Sequence, residues 1–348
     1  MNILLTADPE LPVPPKHYGG IERIIDMLAC SLVERGHTVT LIAHPDSTTP
    51  VQHVSYIGAT SRSLNDTLAN IAVLVRTIAG GRYDVVHSFS RLAYLTPIMP
   101  LNVPKLMTYQ RSITRRSVKV SRVLSHGTLE FAAISRKMME TVADLGTWHL
   151  VYNGVRMDAY DFVPAISVDA PLVFLGRIEH IKGTHLAIEI AKRTNRSLVI
   201  AGNVPDSQRS YFEQQVKPNL DNPLISYIGP VDDRQKNALL GRAGALLMPI
   251  LWEEPFGIVM AEALACGTPI LGLARGSVPE VVDHGVTGFV CDDVGGLVKA
   301  VDRLPEIDRF NCRRRAEAMF SDRAVVDGYL TVYHGMIARR LKRRGNFI

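Results

Sequence analysis

The chain has 348 residues, 47% of them hydrophobic and 21% charged, and a formal net charge of +5. This is the composition of an ordinary globular protein, and the length is most economically two domains. The longest apolar stretch, Ala243 to Trp252, is broken by Gly244 and Pro249 and is too short to cross a bilayer, and the four dispersed cysteines (Cys30, Cys266, Cys291, Cys312) form neither a disulfide framework nor a zinc motif.

The start, Met1-Asn2-Ile3-Leu4-Leu5, lacks a basic leader and reads as a first strand, not a signal peptide. A proline-rich loop follows and ends at Gly19-Gly20. Residues 21–35 carry Ile24, Ile25, Leu28 and Leu32 at helical spacing, and Gly36 is the expected stop. Further strands are expected at 39–43, 84–87, 105–109 and 131–135. Residues 161–171 hold two prolines and little periodicity, as a linker does. The rhythm then repeats, with strands expected at 172–175, 197–201, 225–228, 245–248, 269–273 and 288–291, and helices at 186–193 and 235–240. Strands alternating with helices predict an α/β chain of two doubly wound parallel-sheet domains, 1–163 and 164–321, facing one another across a cleft. The isolated cysteines fit a reducing cytoplasm. Two basic runs stand out: Arg111, Arg115, Arg116, Lys119 and Arg122, and Arg339, Arg340, Lys342, Arg343 and Arg344. They read equally as solvated faces or as a patch that rests peripherally on anionic membrane or steers an anionic substrate. Nothing resembles a nucleic-acid module.

Three segments carry chemistry. In Glu254-Pro255-Phe256-Gly257-Ile258-Val259-Met260-Ala261-Glu262, one glutamate precedes a helix and the other lies inside it. The helix start offers unpaired N–H groups and a positive dipole end that suit a diphosphate, and the carboxylates suit sugar and ribose hydroxyls. In Gly176-Arg177-Ile178-Glu179-His180-Ile181-Lys182-Gly183, two cations follow a strand. A guanidinium and an ammonium there stabilise a leaving diphosphate more as its charge grows. In Tyr18-Gly19-Gly20-Ile21-Glu22, paired glycines at a strand-to-helix junction let backbone press against phosphate or sugar.

These segments, with the trailing Ala265-Cys266-Gly267-Thr268-Pro269, resemble the E-x7-E element, the G-R-x4-K-G diphosphate clamp and the G-G-x-E loop of retaining GT-B glycosyltransferases of family four, the group 1 glycosyl transferases. The resemblance implies the GT-B fold of two Rossmann-like domains, with a last helix, 322–348, packing back on the N-terminal domain through Val325, Leu330, Val332 and Ile337. It implies catalytic roles for Glu254, Arg177 and Lys182. It implies donor contacts from Gly19, Gly20, Gly229, Val231, Phe256, Gly257, Ile258, Val259 and Glu262, with Glu262 on the ribose. Gln110, His87 and Asn153 become candidate acceptor or sugar contacts. Relatives often carry T-x-H where this chain has Thr108-Tyr109-Gln110, and glutamine does not titrate. His87 also reads as a satisfied histidine at a strand end, and Asn153 as a structural turn.

The chain holds no D-x-D triplet, so neither a metal nor a cofactor is expected; Arg177, Lys182 and the helix end would take the metal's part. The expected activity is retaining transfer from UDP-glucose or another UDP-hexose, with GDP-mannose behind it. The acceptor would be a saccharide or lipid-linked saccharide in polysaccharide or glycoconjugate synthesis. Two rivals remain: a non-hydrolysing UDP-sugar epimerase, and a nucleotide-binding partner subunit with weak turnover, which Gln110 would suit. No G-x-G-x-x-G follows the first strand, which argues against a nicotinamide dehydrogenase.

Overall fold

The structure, a computed structural model, describes residues 1–16, 19–111 and 113–345, with the backbone alone for 343–345. Tyr18 of the glycine loop and the side chains of Arg343 and Arg344 lie outside the described residues. Two compact units emerge: residues 1–153 with those from Asp322 onward, and Gly154–Ser321.

The first unit is built on seven parallel strands, β1 (Asn2–Thr6), β2 (Thr38–Ala43), β3 (Gln52–Ser55), β4 (Val85–Ser88), β5 (Lys105–Tyr109), β6 (Leu129–Ala133) and β7 (Trp148–Leu150), in the order β3-β2-β1-β4-β5-β6-β7. Ile3, Leu4 and Leu5 of β1 are fully buried, as a parallel strand covered on both faces requires. The helix Gly20–Glu34 buries Ile24, Ile25, Leu28 and Leu32, the stripe read from the sequence. Gly36 closes it at φ +78°, donating to Val33 O. The helix Asp322–Gly345 belongs to this unit, and its packed seam is Val325, Tyr329, Val332, Tyr333 and Met336. Leu330 and Ile337 of the expected face are only half-buried, because the i, i+4 row through Tyr329 and Tyr333 takes the centre.

The second unit holds six parallel strands, β8 (Leu172–Leu175), β9 (Leu198–Ala201), β10 (Ile225–Tyr227), β11 (Ala245–Met248), β12 (Ile270–Leu273) and β13 (Gly288–Cys291), in the order β10-β9-β8-β11-β12-β13. Each sheet reverses its winding once, at β1/β4 and at β8/β11. Ligands of such sheets bind outside the carboxyl ends of the strands at that reversal.

The division at 153/154 falls ten residues before the expected 163/164. Residues 154–163 are tied to the second unit by hydrogen bonds: Val155 N–H donates to Phe320 O at 2.8 Å, and Val163 N–H to Cys266 O at 3.1 Å. The Arg309 guanidinium holds Val163 O at 2.7 Å. These bonds join residues far apart in sequence, so composition does not announce them.

Candidate functional site

At the β8/β11 reversal two loops are pressed together. Leu251 N–H donates to Ile181 O at 2.8 Å. Gly183 has φ +75°, and a Cβ built there would stand 1.9 Å from Pro249 O, so only glycine lets the Lys182 turn come this close. The loop after β12 grips the glutamate segment from its other side. Ser277 N–H donates to Glu254 O at 2.9 Å, Ser277 Oγ to Phe256 O at 2.8 Å, and Gly276 N–H to Glu253 Oε2 at 2.8 Å. Gly276, at φ +55°, would place a Cβ 2.3 Å from Glu254 backbone.

This clamping brings Lys182 to Glu254. The ammonium meets Glu254 Oε2 at 2.5 Å, and Trp252 Nε1 donates to the same oxygen at 3.0 Å. Lys182 Nζ also lies 4.8 Å from the Trp252 ring centroid. Glu254 is only 7% exposed, so the ion pair replaces water that the carboxylate has lost. Arg177 pairs with Glu179 at 3.0 Å.

Downstream, Gly257 at φ +69° precedes the helix Ile258–Ala265, which no side chain among the described residues caps. Its first-turn N–H groups, including those of Ile258 and Val259, have no intrahelical acceptor by construction and lie at the positive end of the dipole. The Phe256 side chain is buried against Phe320, ring centroids 5.6 Å apart. Glu262, one turn into the helix, accepts from Tyr160 Oη at 2.7 Å and from Lys236 Nζ at 2.5 Å, both at Oε1. Lys236 also meets Asp233 Oδ1 at 3.1 Å. Burial lowers the Lys236 pKa, but the Glu262 and Asp233 charges outweigh it and leave it raised. Burial and the Glu262 charge push the Tyr160 phenol upward. Gly229, at φ +75° after β10, accepts from Gly202 N–H at 2.8 Å, and half-buried Val231 leads into Asp232, which caps the helix Asp233–Arg242 in a capping box with Gln235.

Trp252, Tyr160 and Lys236 were not foreseen as site residues. Trp252 lies two positions before Glu254 and could have been noticed. Tyr160 stands just before the expected linker, and Lys236 on a separate helix, so only the fold brings them to Glu262.

The first unit gathers its own group at the β1/β4 reversal. Gly19 and Gly20 open the helix there, and a Cβ on Gly19 would stand 2.8 Å from Glu22 Oε2. Asp8 Oδ2 accepts from Arg111 Nη2 at 3.1 Å, while Asp8 Oδ1 is buried with no partner among the described residues. Burial raises the pKa values of Asp8 and Glu22. The Thr6, Ser88 and Ser90 hydroxyls bond one another at 2.9–3.0 Å. Gln110 and Asn153 are brought together as a reciprocal amide pair, at 2.9 Å and 2.7 Å. That pair stays neutral at any ordinary pH.

His87 needs correcting as a sugar contact. It is fully buried, Nδ1 bonded to Tyr333 Oη at 2.6 Å and Nε2 to Thr108 Oγ1 at 2.7 Å. Burial drives its pKa down to about 3. Both ring nitrogens are engaged, Nδ1 holding the last helix to the sheet and Nε2 tying β4 to Thr108 of β5. The basic run on Arg115–Leu124 is partly neutralised from within: Arg115 forms a two-pronged pair with Asp144 at 2.8 Å and 2.6 Å. Among the described residues no group of three or more His, Cys, Asp or Glu side chains could hold a metal ion, and no helix is long and apolar enough to cross a membrane.

Comparison with known proteins finds relatives over most of the chain. The family model of glycosyl transferases group 1 matches residues 161–318, and that of glycosyltransferase family 4 matches residues 18–159. Glycogen synthase of Mycobacterium tuberculosis is 27% identical, covering 88% of this chain and 86% of its own. D-inositol 3-phosphate glycosyltransferase of Pseudarthrobacter chlorophenolicus is 26% identical, covering 79% and 78%. Among solved structures, sucrose-phosphate synthase from Thermosynechococcus elongatus superposes with a TM-score of 0.80 at 19% identity, covering 97% of this chain and 99% of its own. Anabaena HepE in complex with UDP and glucose gives 0.72 at 18% identity, covering 96% and 100%.

Proposed function

This chain belongs to the group 1 glycosyltransferases of the GT-B fold, and from that premise we propose that it moves a hexose from a UDP-hexose to a saccharide acceptor, with retention and without a divalent ion. The observation that carries the proposal is the pairing of Lys182 with Glu254 at the β8/β11 reversal, in the loop that leads into the helix Ile258–Ala265. A cation, a hydroxyl-accepting carboxylate and an anion-binding helix end are what a sugar diphosphate asks of a protein.

The bond between the anomeric carbon and the β-phosphate oxygen breaks, and its electron pair stays on the diphosphate. Lys182 and Arg177 stabilise that growing charge, each leaving its carboxylate partner for phosphate oxygens. Glu254, still held by Trp252, accepts a sugar hydroxyl and steadies the positive ring. The acceptor's proton passes to a phosphate oxygen as its oxygen attacks the same face. Anabaena HepE, a neighbour in fold, holds UDP and glucose, which favours a UDP-hexose donor, and the glycogen synthase relative suggests a saccharide acceptor.

The test is turnover and thermal shift with a panel of UDP-hexoses and GDP-mannose. A UDP-hexose should stabilise the protein and be slowly hydrolysed, and chelator should not change the rate. Arg177→Ala should lower kcat by about 10²-fold with a smaller change in KM. The anomeric coupling constant of the product should match the donor. Turnover lost to chelator and restored by manganese would contradict the metal-free mechanism.

A further inference from the structure

The two glutamates of the donor site are held in the same manner. On Glu254, one oxygen receives Lys182 Nζ and the Trp252 indole N–H, with the ammonium 4.8 Å from the ring centroid. On Glu262, one oxygen receives Lys236 Nζ and the Tyr160 hydroxyl, with the ammonium 5.7 Å from the ring centroid. In both, no described residue donates to the other oxygen. Lys182 belongs to the diphosphate clamp, but the Glu262 set has no role in the chemistry above.

We propose that Tyr160 and Lys236 are positioning residues that lock Glu262 with Oε1 turned inward and Oε2 presented to a ribose hydroxyl of the donor. The inference rests on the nucleotide-sugar reading of this site. A glutamate's terminal torsion is broad and two-fold, so a lone carboxylate on a helix face offers either oxygen over a range of angles. Two donors converging on Oε1 remove that freedom before the ligand arrives, which lowers the entropy cost of binding. The two donors are themselves fixed. Lys236 is tied to Asp233, and its side chain is 13% exposed. Arg313 Nη1 donates to Tyr160 O at 2.9 Å and to Ala265 O at 2.8 Å, fastening the Tyr160 backbone to the helix that carries Glu262.

The test is calorimetric binding of UDP, 2′-deoxy-UDP and 3′-deoxy-UDP to the full-length protein and to Tyr160→Phe and Lys236→Met. The wild type should bind UDP about tenfold more tightly than at least one deoxy form, as loss of a hydrogen bond to a charged group implies. Both variants should bind UDP several-fold more weakly, with the deoxy discrimination shrinking to about twofold or less. A merely structural role would lower the melting temperature and leave the discrimination intact. Variants that keep the wild-type ratio overturn the inference, and so does a wild type that binds UDP without reading either hydroxyl; the nucleotide site survives both results. A wild type that binds no UDP sinks the nucleotide reading and this inference with it. Should Lys236→Met not fold, Tyr160→Phe, which loses one hydroxyl, decides alone.

Discussion

Arg309 shows how one side chain can organise a unit without touching the chemistry. It is 7% exposed, and its guanidinium donates to Val163 O at 2.7 Å, Ala243 O at 3.0 Å, Gly241 O at 2.9 Å and Thr268 Oγ1 at 3.0 Å. Replacement by methionine strands several buried acceptors, and the expected cost is about 3 kcal/mol in urea unfolding. Lysine should recover little, because one ammonium cannot span the planar fork. His87 works in the opposite sense. Burial sets its folded pKa near 3, below the ordinary 6.5 that the unfolded chain keeps. The unfolded state therefore takes the proton first. Stability from this group is complete above pH 6.5 and is lost as pH falls from 6.5 toward 3. At about pH 5 the loss is about 2 kcal/mol. Urea melts at about pH 7.5 and about pH 5 should show a smaller drop for His87→Gln than for the wild type.

Elements in this chain meet through glycines at the ends of strands. Gly202 N–H donates to Gly229 O at 2.8 Å, and a Cβ on Gly202 would stand 1.8 Å from Gly176 O. Gly183 and Gly285 make a controlled comparison, since their φ angles are +75° and +77°. A Cβ on Gly285 meets nothing, while one on Gly183 collides with Pro249 O. Gly285→Ala should cost only about 1 kcal/mol, the penalty of the left-handed conformation. Gly183→Ala should cost more and also shift Lys182, lowering kcat/KM at least about tenfold. Thermal unfolding and initial rates on the two variants check this. Elements with a continuous apolar run, such as β1 and β11, were legible in the sequence. The edge strands β3 and β7 were not: Gln52-His53-Val54-Ser55 and Trp148-His149-Leu150 carry no such run, and neighbours define them.

At the scale of the whole molecule, the last helix belongs to the first unit although the chain reaches it only after the second. Tyr329 and Tyr333 are fully buried there, Tyr333 bonded to His87 and Tyr329 to Thr108 at 3.3 Å. A chain ending at Ser321 should therefore keep the unfolding transition of the second unit and lose that of the first. Differential scanning calorimetry, with limited proteolysis to identify the surviving fragment, would show it. Two transitions retained after truncation would mean that the first unit needs no contribution from this helix.

The residues alone sufficed for the alternation of strand and helix and for the two parallel sheets. Those features are local: apolar runs, turn glycines and fixed spacings are written in contiguous stretches. Tertiary structure alone decided that 154–163 joins the second unit, that His87 is sealed in the core, and that Tyr160 and Lys236 stand on Glu262. Each depends on hydrogen bonds or burial between residues that lie on different elements, and the closure of such contacts is set by how the sheets wind, which no single stretch of chain encodes.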